Sequence, residues 1–258
     1  MTPLRRPRKG APALQPILMP KATFLHPRLA PAFALAIALL APAQGACGAE
    51  HVLLCLGDSL TAGYGLDEDQ AWPALLQARL DRDLPGWRVV NAGASGDTSA
   101  DGLGRLDWLL RSRPDAAFVC LGANDGLRGL APDVTARNLD AVLARLKRGG
   151  TQVALAGMDL PTNLGPGYRA AFKAIFPRAA RRAGVPFLPF LLADVAGLAT
   201  LNQADGVHPN AAGQAIVARN VAAFLEPLLR RAGRGSRADA GGARARVLRS
   251  RDDLEESR

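Results

Sequence analysis

The sequence predicts a three-layer α/β/α domain built around a five-stranded parallel sheet. Short apolar runs alternate with longer amphipathic segments, the short runs are apolar throughout, and the chain shows no internal repeat. Strands that are apolar on both faces and alternate with helices are typical of a parallel sheet that helices cover on both sides. Because ligands bind such sheets beyond the carboxyl ends of the strands, the residues after each strand are the candidates for chemistry.

The pattern predicts five strands, at Val52–Leu56, Arg88–Ala92, Ala117–Gly122, Gln152–Gly157 and Phe187–Phe190. It predicts helices at Trp72–Leu80, Leu103–Arg111, Val134–Lys147 and Tyr168–Ala183, with a last helix from Asn210 to Leu229. Trp72, Trp87 and Trp108 lie in or beside the amphipathic segments, and we expect them in the core.

The chain divides into an N-terminal extension at 1–49, a domain at 50–230 and a tail at 231–258. Leu29–Ala43 is an apolar run that follows Lys21 and Arg28 and is shorter than the roughly 20 residues of a membrane span. It is typical of the core of a secretory signal, so we expect export to the periplasm or the medium. An uncleaved N-terminal anchor and a lipoprotein attached at Cys47 stay open as alternatives.

The formal net charge of +9 belongs to the two ends of the chain, because residues 51–229 contain equal numbers of basic and acidic side chains. A domain without net charge does not attract the phosphate backbone of nucleic acid over long distances, which argues against nucleic acid as a partner. The Arg-rich tail has no apolar periodicity, so we expect disorder there, with weak contact to a membrane surface as an open alternative. We expect the domain to be a monomer.

Three residues after predicted strands or in a late loop have the chemistry of a catalytic triad. Ser59 follows the first strand at a sharp turn, and His208 is the histidine that lies firmly inside the domain, since His51 stands at its margin. A serine hydroxyl needs a base to take its proton, and a neutral imidazole is such a base near neutral pH. Asp205 lies three residues before His208 and can accept a hydrogen bond from its ring.

Acyl transfer also needs hydrogen-bond donors for the negatively charged oxygen of the transition state. The backbone N–H groups of Ser59 and Gly96 and the side-chain amide of Asn124 are candidates, because all three residues follow predicted strands. Gly96 suits this role since it has no side chain to block a substrate.

Metal and cofactor sites are not predicted. The sequence has no cluster of His, Cys, Asp and Glu residues with the spacing of metal ligands. Cys55 and Cys120 lie inside apolar runs, and we expect buried thiols; a disulfide between them requires neighbouring strands.

Four sequence blocks, taken together and in this order, resemble the GDSL or SGNH hydrolase family. They are Gly57–Tyr64 (GDSLTAGY), Ser95–Ser99 (SGDTS), Asn124–Gly129 (NDGLRG) and Gly206–Asn210 (GVHPN). With Ala71–Leu76 (AWPALL), they look like the bacterial periplasmic branch of acyl-CoA thioesterases, arylesterases and lysophospholipases.

The resemblance covers residues 51–229 and implies the flavodoxin-like SGNH hydrolase fold with no cofactor. It implies Ser59, Gly96, Asn124 and His208 as signature residues and Asp205 as the triad acid. The implied substrate is a small-molecule acyl ester or thioester. Two residues depart from the branch: Ala123 stands where it often has Gly, and Asp159 stands where an Arg precedes Leu-Pro.

Loops expected around the cleft, at 126–132, 160–168 and 191–204, are rich in Leu, Ala and Gly, which favours an apolar acyl groove. The predicted function is therefore an esterase or thioesterase. A carbohydrate O-acetyl esterase of the cell envelope and a catalytically silent binding domain stay open as alternatives.

Overall fold

The computed structural model describes residues 51–255, with side chains described through residue 233. Its sheet has five strands in the order β2-β1-β3-β4-β5, and every neighbouring pair is parallel. The strands are β1 His51–Gly57, β2 Trp87–Gly93, β3 Ala116–Cys120, β4 Gln152–Ala156 and β5 Phe187–Leu188. The predicted five-stranded parallel sheet is confirmed.

The helices are α1 Ser59–Ala62, α2 Trp72–Asp83, α3 Ser99–Gly104, α4 Leu106–Leu109, α5 Ala123–Leu127, α6 Pro132–Arg148, α7 Pro166–Ala183 and α8 Ala211–Glu255. Helix α2 packs against α8, whereas α6 packs against α3 and α7. The chain moves from β1 to β2 in one direction and from β3 to β5 in the other, so right-handed crossovers put these two groups of helices on opposite faces of the sheet. The three-layer α/β/α arrangement is confirmed.

The central strands β1 and β3 form the middle of the core. Cys55 and Cys120 lie on these neighbouring strands, and both are buried free thiols, as predicted. Burial raises the pKa of each thiol above its ordinary value. Trp72 is fully buried and meets the edge of the Phe118 ring at a centroid distance of 6.0 Å.

Two of the predicted elements differ from the structure. The helix expected at Leu103–Arg111 is interrupted: α3 ends at Gly104, and α4 is a single turn followed by a 3-10 turn at Leu110–Ser112. Because α4 turns Leu106 and Leu109 into the core, Trp108 is 66% exposed, and its prediction as a core residue was wrong. Strand β5 is short because Pro189 has no N–H to continue the ladder.

The C-terminal helix α8 continues through Glu255, well beyond Leu229, where the sequence predicts the helix to end and a disordered tail to begin. The additional residues are mostly Ala, Arg and Leu, which are strong helix formers. Within residues 51–255 no helix is long and apolar enough to cross a membrane. The predicted signal sequence and Cys47 lie outside the described residues.

Candidate active site

The turn from β1 into α1 presents Ser59 at the carboxyl edge of the sheet. Asp58 caps α1, because its Oδ1 accepts a hydrogen bond from the N–H of Leu60 at 3.0 Å. A Cβ atom at Gly57 would lie 2.0 Å from Oγ1 of Thr61, so this close turn requires glycine. Ser59 is therefore the first residue of a short helix, immediately after a buried strand.

Ser59, His208 and Asp205 form one continuous chain of hydrogen bonds. Nε2 of His208 lies 2.9 Å from Oγ of Ser59, and Nδ1 lies 2.7 Å from Oδ2 of Asp205. The other carboxylate oxygen of Asp205 accepts the N–H groups of His208 and Val207 at 2.9 and 2.8 Å. Hydrogen bonds from the backbone and ring of His208, and then from Val207, lower the pKa of Asp205 to about 2. The carboxylate can thus orient the ring while the ring accepts a proton from the serine.

Gln203 connects the loop of His208 to the turn that carries Ser59. Its backbone N–H donates to the carbonyl oxygen of His208 at 2.7 Å, and its side-chain amide donates to the carbonyl oxygens of Tyr64 at 2.7 Å and Pro209 at 3.1 Å. Sequence reasoning missed Gln203, because a bond across 139 residues leaves no local pattern. The ring of Tyr64 lies against the ring of His208 at a centroid distance of 4.7 Å.

Gly96 and Asn124 line the same cavity as Ser59 and His208, and its volume is about 220 Å³. Gly96 has φ = 87°, a left-handed conformation that favours glycine. Asn124 lies in α5, and its Nδ2 donates one hydrogen bond to the carbonyl oxygen of Asp97 at 2.9 Å. Since an amide nitrogen has two hydrogens, the other is left for a ligand. The structure therefore brings all the residues predicted for the site into one place.

The buried carboxylate of Asp125 ties α5 to its neighbours. It accepts hydrogen bonds from the N–H and hydroxyl of Ser99 at 2.7 and 2.5 Å and from the hydroxyl of Thr135 at 3.1 Å. Asn138 donates in turn to the hydroxyl of Ser99 at 3.0 Å. This network fixes the helix that carries Asn124 against α3 and α6.

Residues 55–216 match the GDSL-like lipase/acylhydrolase family. The chain belongs to this family. Over 182 residues it is 44% identical to the esterase TesA of Pseudomonas aeruginosa, across 70% of this chain and 90% of the relative. It is 43% identical over 182 residues to thioesterase 1/protease 1/lysophospholipase L1 of Escherichia coli strain K12, across 70% of this chain and 86% of the relative.

A crystal structure of TesA superposes with a TM-score of 0.67 at 44% identity, covering 69% of this chain and 99% of the TesA chain. The fold is thus the SGNH hydrolase fold, and the protein is an ester-hydrolysing enzyme of the GDSL family. The names of these relatives favour an enzyme over the alternative of a catalytically silent binding domain.

The two departures from the GDSL branch lie in different places. Ala123 lines the cavity beside Asn124. Asp159 lies outside the lining of that cavity and binds Arg169 and Lys173 of α7, with its oxygens 2.8 Å from Nε of Arg169 and from Nζ of Lys173. Burial opposes its ionisation, but the hydrogen bonds from Lys173 and Arg169 outweigh this effect and lower the pKa of Asp159. Asp159 therefore holds the start of α7.

Within the part of the chain that the structure describes, no group of three or more His, Cys, Asp and Glu residues is arranged to hold a metal ion.

Proposed function

We propose that this GDSL enzyme cleaves carboxylic esters and acyl thioesters through a covalent acyl-enzyme on Ser59. The observation that carries the proposal is the chain of two hydrogen bonds, 2.9 Å from Ser59 to His208 and 2.7 Å from His208 to Asp205. A serine joined to an imidazole that a carboxylate orients is an activated nucleophile.

In the first half-reaction, Oγ of Ser59 forms a bond to the acyl carbon while Nε2 of His208 accepts the hydroxyl proton. The resulting oxyanion receives hydrogen bonds from the N–H groups of Ser59 and Gly96 and from the free Nδ2 hydrogen of Asn124. The carbon–oxygen or carbon–sulfur bond to the leaving group then breaks, and the leaving group takes the proton from His208. Water repeats the sequence on the acyl-enzyme, which releases the acid and restores Ser59.

Substrates with apolar acyl or aryl groups fit the rim of the cavity. Tyr64, Leu127 and Val207 line it and are 53%, 40% and 37% exposed, and exposed apolar side chains grouped around one cavity are typical of a ligand-binding groove. The relatives are named esterase and thioesterase/lysophospholipase, which is the same substrate class. We therefore assign arylesterase, acyl-CoA thioesterase and lysophospholipase activities to this site, without a cofactor.

Hydrolysis by the purified domain tests this proposal. The panel contains p-nitrophenyl esters from acetyl to palmitoyl, an acyl-CoA, a lysophospholipid and an acetylated oligosaccharide. Ser59→Ala should abolish turnover of the medium- and long-chain substrates. Ser112→Ala is the matched control and should keep wild-type rates, because the hydroxyl of Ser112 donates to the carbonyl oxygen of Leu109 and lies outside the cavity lining.

Two results would overturn the assignment. Full activity in Ser59→Ala would exclude the acyl-enzyme, and turnover confined to the acetylated oligosaccharide would move the enzyme to the carbohydrate O-acetyl esterases.

We also propose that the enzyme is exported with removal of its N-terminal extension and that its domain at 50–230 is a monomer. The apolar run Leu29–Ala43, which follows Lys21 and Arg28, supports removal of the extension as a signal sequence. The intact mass of protein from a periplasmic extract should correspond to a chain that begins between Ala46 and Glu50. A mass that retains Leu29–Ala43 would contradict cleavage and favour the N-terminal anchor.

A further inference from the structure

Arg105 lies at the junction of three elements that carry the proposed site. It follows α3, at the interruption of the predicted helix, and its side chain is 25% exposed. Its Nε donates to Oδ2 of Asp97 at 2.6 Å, and its Nη2 donates to the carbonyl oxygens of Gly57 at 2.9 Å and Ala92 at 2.8 Å. One guanidinium therefore connects the carboxyl ends of β1 and β2 to the loop that follows β2.

Two of these acceptors, Gly57 and Asp97, lie close in sequence to residues of the proposed site. Gly57 is the last residue of β1, two residues before Ser59, and Asp97 directly follows Gly96. The carbonyl oxygen of Asp97 accepts the Nδ2 hydrogen bond of Asn124 at 2.9 Å. Asp97 therefore accepts two hydrogen bonds, one from Arg105 at its carboxylate and one from Asn124 at its backbone carbonyl.

The turn that contains Gly96 has both its ends attached to this arrangement. The N–H of Asp97 donates to the carbonyl oxygen of Ala94 at 3.1 Å, and the N–H of Ala94 donates to the carbonyl oxygen of Gly57, also at 3.1 Å. Arg105 binds that same Gly57 carbonyl and the Asp97 carboxylate. The direction of the Gly96 N–H is therefore set by a turn that is fixed at one end by β1 and at the other by Arg105.

We propose that Arg105 and Asp97 form a clamp, defined as these two side chains and their hydrogen bonds, that positions the oxyanion donors of Gly96 and Asn124 relative to Ser59. The inference rests on the proposed function, since it concerns the same reaction. Neither side chain lines the cavity, so both are positioning residues and touch no reacting atom. Transition-state stabilisation by such donors depends on placement to within a fraction of an ångström.

Arginine is the residue that this geometry requires. Its planar guanidinium holds Nε and Nη2 in a fixed relation, so it can serve one carboxylate and two carbonyls at once. A lysine ammonium is a point charge on a flexible stem and cannot reproduce that plane. The clamp therefore predicts that Arg105→Lys restores only part of the activity that Arg105→Met loses.

Steady-state kinetics on a p-nitrophenyl ester test the clamp with Arg105→Met, Arg105→Lys and Asp97→Asn. We expect kcat to fall about 10- to 100-fold in Arg105→Met, with KM within about threefold of wild type, because the donors act mainly in the transition state. The Arg105→Met/Asp97→Asn double variant should lose no more than the more impaired single variant, since the two residues act as one unit. Rates are normalised to the active-site content of each sample.

The control variant is Arg182→Met. Arg182 makes a bidentate ion pair with Asp140 between α6 and α7, and neither residue lines the cavity. Like Arg105→Met, this substitution removes an arginine that makes several hydrogen bonds, but it does so away from the proposed site. We expect kcat of this control to stay at the wild-type value even where its melting temperature falls. A loss of kcat in Arg182→Met equal to that in Arg105→Met would overturn the clamp, because general destabilisation would then explain both.

A second readout separates placement of the donors from folding. An alkylboronic acid forms a tetrahedral adduct on the serine, whose oxygen occupies the position of the oxyanion, whereas a long-chain alcohol binds only the apolar rim. Across the variants, boronate affinity should fall in proportion to kcat/KM, and alcohol affinity should not change. If Arg105→Met does not fold, Arg105→Lys and Asp97→Asn carry the same comparison.

The failures of the two proposals are distinguishable. Wild-type hydrolysis that depends on Ser59, together with kcat within twofold and unchanged boronate affinity in the clamp variants, would overturn the clamp alone. Absence of Ser59-dependent hydrolysis in the wild type would overturn the proposed function, and the clamp with it.

Discussion

At the residue scale, Asp58 carries an energetic cost next to the proposed nucleophile. The carboxyl is fully buried, and its Oδ2 accepts no hydrogen bond from any described residue, although Oδ1 caps α1. Burial raises the pKa of Asp58 from 3.8 to about 7, against the smaller lowering effects of the Leu60 N–H and the charge of His208. In the folded protein Asp58 therefore stays neutral up to about pH 7, well above the pH at which an exposed aspartic acid ionises.

This shift makes the stability of the wild type depend on pH. Between pH 4 and about pH 7 the unfolded chain releases the Asp58 proton while the folded protein keeps it, so the contribution of Asp58 to the free energy of unfolding falls as pH rises, by at most a few kcal/mol. Asn at this position can still cap α1 but cannot ionise. The melting temperature of Asp58→Asn, relative to wild type, should therefore rise from pH 4 to pH 7 and then level off.

The lowered pKa of Asp205 acts in the opposite direction and at lower pH, since its stabilising effect is lost as pH falls from 3.8 toward about 2. The two effects therefore do not overlap. A melting-temperature difference for Asp58→Asn that is independent of pH would contradict the raised pKa.

Residue chemistry also decides which side chains of the site could be predicted. Ser59, His208 and Asp205 could be found because each role needs a particular residue type, and Gly96 and Asn124 because they follow strands. Arg105 and Gln203 act by binding backbone carbonyls, which every residue has. The bond from Arg105 to Gly57 spans 48 residues, so no local spacing indicates it.

At the element scale, the parallel sheet was predictable because its strands are apolar throughout and buried on both faces, as in β1 and β3. The interruption between α3 and α4 was not predictable. Leu103, Leu106 and Leu109 keep a helical spacing across it, and the periodic pattern gives no sign of a break. In the structure, Arg105 stands between α3 and α4 with its backbone still in the right-handed helical region, and its guanidinium binds carbonyl oxygens at the ends of β1 and β2.

The exposure of Trp108 follows from the same leucine spacing. Leu103, Leu106 and Leu109 share one helical face, and at about 100° per residue Trp108 falls on the opposite face. Leu106 and Leu109 are therefore buried while Trp108 is exposed, and its position in the pattern outweighs the apolar character of its ring.

At the scale of the whole molecule, the fold collects the site from segments that are far apart in sequence. Ser59 follows β1, Gly96 follows β2, Asn124 follows β3, and His208 precedes α8. Parallel strands put their carboxyl ends at one edge, so the sheet order alone brings the first three together. His208 has no strand before it to set its place, and Gln203 supplies that placement through Tyr64 and Pro209.

The basic character of the chain belongs to its ends and not to this domain. Residues 51–229 are neutral in sum, and the lining of the cavity contains no acidic or basic side chain besides His208. A neutral, partly apolar site agrees with uncharged acyl groups as the part of the substrate that enters it.

Covalent labelling of the active-site serine shows whether Ser59 is the nucleophile. A p-nitrophenyl alkylphosphonate should react with wild type and with Ser112→Ala in a 1:1 ratio, with loss of esterase activity in step with the increase in mass. Peptide mapping should locate the phosphonyl group on Ser59, and Ser59→Ala should stay unlabelled. Labelling at another residue, or esterase activity that persists in fully labelled protein, would contradict the account of Ser59 as the nucleophile.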